Sequence, residues 1–193
     1  MPAAAMIPQF ETGTPVTGLD HATALGALLA SGTAYLSTLP DATFFAPQGE
    51  AWSPADHVRH LQLAGSPLLM ALKLPRWLLA LRFGRGPGHS RSFDEVRSLY
   101  IKALAAGGQA GRFTPRPRDP GPDSHANRMT IMNAWADVTV NLQGAVARWP
   151  ETALDRQLLP HPLLGLLTTR EMFSFTVYHT AHHLRRVAER AGA

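Results

Sequence analysis

The sequence predicts an all-α protein, an up-and-down four-helix bundle with an extra short helix and long loops. Three observations carry that expectation. Helix starts of the Ser/Thr-x-x-Asp/Glu kind stand at Ser53–Asp56, Ser92–Glu95 and Thr168–Glu171, each ahead of an apolar pattern of helical period. Strand signals are sparse, with no Asn-Gly hairpin and no sustained alternation bounded by turns. No repeat of fixed period appears either.

In chain order, residues 19–39 place Leu25, Leu28, Leu29, Leu36 and Leu39 at helical spacing, and Pro40 stops the run. A loop rich in Pro, Gly and Phe leads to Ser53, an N-cap followed by proline at the first helical position. The helix that begins there runs through Leu61, Ala64, Leu68, Leu69 and Leu72. Pro67 and Pro75 are expected to kink or divide it, because each removes an amide donor and crowds the preceding turn. An apolar continuation reaches Phe83 before a glycine-rich loop. The Ser92 helix sets Phe93, Val96, Tyr100, Leu104 and Ala105 on one face and ends at Gly107-Gly108. Residues 111–124 are proline-rich and read as an irregular excursion, and residues 125–149 resume a helical pattern through Met129, Met132, Trp135, Val138, Leu142 and Val146. The helix capped by Thr168 closes the chain.

At 193 residues and 45% hydrophobic content, residues 1–193 are expected to form a single domain, with 1–18 loosely ordered. Mean hydropathy is −0.07, and no apolar run approaches the ~20 residues that cross a bilayer, so no membrane partner is expected. The N-terminus lacks the basic region of a secretory signal, and a cytoplasmic location is the expectation. The absence of cysteine removes disulfides and thiolate ligands, leaving nitrogen and oxygen for any metal. Net charge is +4, with the excess concentrated mid-chain from Lys73 to Arg118. No basic run interleaved with aromatics occurs there. The excess reads as solvated helix faces and loops, and a nucleic-acid partner is not expected.

One stretch resists a structural reading. Tyr-His-Thr-Ala-His-His-Leu-Arg-Arg, residues 178–186, puts three imidazoles within five residues of one helix. His179 and His183, spaced i, i+4, share a face and can share an ion, whereas His182 lies about 100° around the helix. A third ligand from the Ser53 helix would complete a facial site with open positions. On pattern alone, His57 and His60 are nearly equal candidates for it.

Trp-Ser-x(6)-His-Leu in the second helix, with the C-terminal His-x-x-His-His-Leu, resembles the DinB/YfiT-like superfamily of metal-binding four-helix bundles. Arg-Ser-Phe-Asp-Glu-Val-Arg-Ser-Leu-Tyr (91–100) and His-Pro-Leu-Leu-Gly-Leu-Leu-Thr-Thr-Arg-Glu (161–171) are similar to its DinB-2 and DUF1569-like branch. The resemblance covers residues 20–190. It implies a ligand eight residues after the helix-2 tryptophan, here His60, with His179 and His183 as the other two. It also implies one divalent ion (Ni, Zn, Fe or Mn), a homodimer, and a small-molecule substrate, in some relatives joined by a low-molecular-weight thiol. The activities implied are thiol-dependent transfer or metal-dependent hydrolysis. The alternative is a non-catalytic, stress-related binding protein whose metal is structural or vestigial. Relatives carry Gln three residues after the last ligand, where this chain has Arg186, and that departure favours the alternative.

The remaining residues read as supporting parts. Arg59 and Arg186 are candidates to meet a carboxylate-bearing cosubstrate, and His57 and His182 to act as hydrogen-bond partners or proton carriers. Asp56 reads as a cap, Asp137 as a surface carboxylate, and Trp52 as a staple packed beside the cap. His21, His89, His125 and His161 read as solvent-exposed.

Overall fold

Four long helices enclose the core: α1 (Gly18–Thr38), α3 (Pro54–Leu72), α6 (Ser124–Arg148) and α8 (Thr169–Ala191). Between them lie the shorter α2 (Asp41–Phe45), α4 (Arg76–Phe83), α5 (Phe93–Ala105) and α7 (Glu151–Arg156), with a hairpin of β1 (Leu158–His161) and β2 (Gly165–Thr168). The computed structural model describes residues 9–47, 51–116 and 120–191. Residues 1–8 of the stretch expected to be loose, and Arg118 of the basic set, lie outside them. Within the rest of that stretch Phe10 is completely buried, its ring edge-on to Tyr35 at 5.9 Å and its carbonyl accepting from Arg185.

The all-α expectation holds, and the cap residues do what their types allow. Ser53, Ser92 and Thr168 each accept the amide of the residue three ahead, while the acid at that place accepts the cap amide in return. Thr17 with Asp20 forms a fourth such pair at α1. α6 packs against both α1 and α3, and α8 closes the bundle against α1, α3 and α5. Leu28, Leu36, Trp135, Leu142, Phe173 and Leu184 fill the centre. Gly32 lets α1 approach, since a Cβ there would stand 2.9 Å from both Trp135 and Leu184.

Two details differ from the sequence reading. Pro67 sits inside α3 without ending it. The lost donor to the Leu63 carbonyl costs about 3 kcal/mol, and burial of Leu68 and Leu72, one turn apart just beyond the proline, holds the helix against that cost. Pro75 does divide the chain, separating α3 from α4. The hairpin was not foreseen. Its strands are four residues each, too short to show alternation, and Gly165 at φ 73° closes the connection.

Candidate metal centre

The site is assembled from α3 and α8 across the bundle. His57 and His60 lie one turn apart in the buried N-terminal part of α3, behind the Ser53 cap; Asp56 is engaged in that cap. His179 and His183 are successive turns of α8, and all four imidazoles are buried.

His60, His179 and His183 converge into a group that could hold a metal ion. Nε2 of His179 lies 3.0 Å from Nε2 of His60 and 3.1 Å from Nε2 of His183. Two nitrogens sharing one ion at bonds of about 2.0–2.1 Å stand at this order of separation. The proton inventory supports the fit. Nδ1 of His60 lies 2.9 Å from the Phe113 carbonyl, which can only accept, so Nδ1 holds the proton and Nε2 presents a lone pair. One proton on His179 Nε2 must then serve both neighbours, because a neutral ring nitrogen cannot donate and accept at once. Three lone pairs directed at one cation remove that conflict. The donor set is three neutral imidazoles, since burial pushes the pKa of His60 down and those of His179 and His183 well down.

His57, the other sequence candidate, is not in the converging group. Its Nδ1 lies 2.7 Å from Nδ1 of His183. If His183 presents a lone pair at Nε2, its proton resides on Nδ1 and is donated to His57. The proton of His57 must then sit on its Nε2, the one buried side-chain nitrogen or oxygen among the described residues without a hydrogen-bond partner. Burial drives the His57 pKa down to about 3, with Arg190 adding to the effect, so this ring is neutral as well.

The Trp52 indole packs on His57, one turn beyond the Ser53 cap, at 5.5 Å, as a staple would, and it also covers the cluster, stacked on His183 at 13° and 6.0 Å and close to His60. The rings open onto a cavity of about 790 Å³ walled by Leu68, Leu79, Leu104, Leu159, Met172 and Phe175. No Asp or Glu lines it among the described residues. Asp137 is exposed, and so is Arg186, which does not reach the cavity wall. Arg59 pairs with Asp56 and the Arg116 carbonyl. His182 is half-buried in the wall, its ring edge-on to Tyr100, and burial lowers its pKa to about 4.

Two histidines expected at the surface are buried. His21 donates from Nδ1 to the Thr17 carbonyl and accepts at Nε2 from Ser174 on α8. His161 accepts at Nδ1 from the amides of Leu163 and Leu164, at 3.2 and 3.1 Å, so its proton is on Nε2. Its ring lines the cavity edge-on to Phe175, and burial holds its pKa near about 4. Position near a loop suggested exposure for both. The signals that could have located His161 are its Pro-Leu-Leu-Gly turn, whose free amides need an acceptor, and its place between two short apolar runs.

No curated protein and no solved structure matches the chain. A model of the DinB superfamily matches residues 26–187, a span that contains α3, most of α8 and every histidine of the cluster. The chain belongs to the DinB superfamily.

Proposed function

We propose that His60, His179 and His183 hold one divalent ion and that the protein is a metalloenzyme of thiol-dependent transfer. The observation that carries this reading is the convergence of three buried Nε2 atoms at 3.0–3.1 Å on a large cavity. A divalent ion bound there lowers the pKa of a bound thiol or water and polarises an oxygen. The chain's own groups supply the rest. His60 is held in its ligand tautomer by Phe113. His161 presents an Nε2–H to the cavity, a donor suited to a substrate oxygen. His182 in the wall stays neutral, because burial lowers its pKa to about 4, and it offers a bound molecule a hydrogen-bond partner and not a base.

Metal-dependent hydrolysis is the second reading. Attack by water gains from a neighbouring base, and none of the described residues lining the cavity is a carboxylate, which supports the thiol reading. The non-catalytic alternative drew on Arg186, whose exposed side chain lies away from the cavity wall. A cytoplasmic, homodimeric protein acting on a small molecule completes the proposal.

Elemental analysis of protein purified without a nickel column tests it, beside a His60→Ala/His179→Ala variant. About one equivalent in the wild type and none in the variant is the expected result. No metal in either, even after reconstitution, overturns the reading.

A further inference from the structure

The α4 helix carries two apolar stripes, and the fold uses one. Leu79, Ala80 and Phe83 turn inward, with Leu79 buried. Trp77, Leu78 and Leu81 share the other side at i, i+1 and i+4, Leu74 stands in the bend just before the helix, and all four are exposed. Trp77 is 66% exposed and Leu81 78%, and Met70 at the end of α3 adds another 68% exposed side chain. The polar residues that should solvate such a face stand at its margins, and all are cationic: Lys73, Arg76, Arg82 and Arg85, each exposed. Between Asp56 and Asp94 the sequence holds no acidic residue at all.

An apolar face with a cationic margin selects its partner by charge. A second copy docking the same face in two-fold symmetry would set Arg76, Arg82 and Lys73 against their own kind. Nucleic acid would match the charge but offers no apolar phase to Leu74, Leu78 and Leu81. An anionic lipid surface meets both needs. Its headgroups draw lysine and arginine, the boundary beneath takes leucine and methionine side chains, and indoles prefer that depth. The same face frames the cavity, because Met70 and Leu74 also line it. No helix is long and apolar enough to cross a membrane. A face of this size is invisible to span-length hydropathy, the basis on which no membrane partner was expected.

We propose that the outer face of α4 and the end of α3 docks on the surface of an anionic lipid bilayer, seating Met70, Leu74, Trp77, Leu78 and Leu81 at the headgroup–acyl boundary. This contact is independent of the metal centre. The full chain should co-sediment with vesicles of equal parts phosphatidylcholine and phosphatidylglycerol at low salt, and weakly with phosphatidylcholine alone. Tryptophan emission should shift to the blue on binding. A Trp77→Ser/Leu81→Ser variant should lose about tenfold or more in vesicle affinity, and an Arg76→Glu/Arg82→Glu variant should lose preference for the anionic lipid. Both alter exposed side chains, so an unchanged melting temperature verifies the fold. Equal affinity of wild type and the Ser variant, or no sedimentation with either vesicle, overturns the proposal. A wild-type dimer that the Ser variant dissociates in analytical ultracentrifugation also overturns it and assigns the face to a second copy.

Discussion

At the scale of single residues, His57 is the most informative position. On the proposed reading it accepts the proton that His183 keeps off Nε2, and it leaves its own Nε2 buried without a partner among the described residues. A His57→Phe exchange keeps a ring in the space and removes the acceptor. It should weaken metal affinity by about 10–100-fold in chelator competition, the usual cost of losing such a partner. His57→Asn, with a carbonyl oxygen in place of Nδ1, should retain most of the affinity. Equal binding by wild type and the Phe variant would reduce His57 to packing. The histidine spacing and the family resemblance were legible because both are local properties of sequence. The roles of His57 and His21 were not, because each meets a group far off in sequence, His183 and Ser174, both on α8; His161 is fixed within its own turn, by the amides of Leu163 and Leu164, and its burial was what the sequence hid. The staple role of Trp52 was legible, but its reach over the cluster was not, since that stacking partner lies on α8.

At the scale of elements, caps were the most readable signals, as Ser53, Ser92 and Thr168 show. The Thr168 cap does more than begin α8. Its acid, Glu171, also receives the Arg91 guanidinium through two bonds of 2.9 Å and the Arg91 amide at 2.8 Å. One carboxylate thereby ties the start of α5 to the start of the ligand-bearing helix. A Glu171→Ala exchange leaves these donors unmatched and should cost about 2–4 kcal/mol in urea denaturation, well above a surface exchange. A loss under about 0.5 kcal/mol would show that the tie is dispensable. The short hairpin and the uninterrupted passage of α3 through Pro67 escaped the sequence because both depend on what packs beside them, not on local preference.

Across the whole molecule, seven of the nine histidines have pKa values lowered by burial, down to about 3 at His57 and about 4 at His161 and His182. Unfolding releases them to their ordinary value of 6.5, so below that pH the unfolded chain binds protons the folded one refuses. Stability of the metal-free protein should therefore be complete above pH 6.5 and fall as pH drops from there toward about 4, by roughly 1.4 kcal/mol per pH unit for each fully contributing ring. Urea midpoints measured across that interval check it. An unchanging midpoint would mean that the imidazoles stay hydrated.

The site also has a place in time. His60 and His179 are 119 residues apart, and the second belongs to the last helix of this chain. During synthesis His60 leaves the ribosome with its eventual partners still uncoded in peptide, and α1 and α3 wait with the faces that α8 will cover open to water. On the proposed reading, ion capture by all three histidines must wait until α8 has been made, and a nascent product cut short before α8 lacks both the helix that closes this core and two of the three proposed ligands.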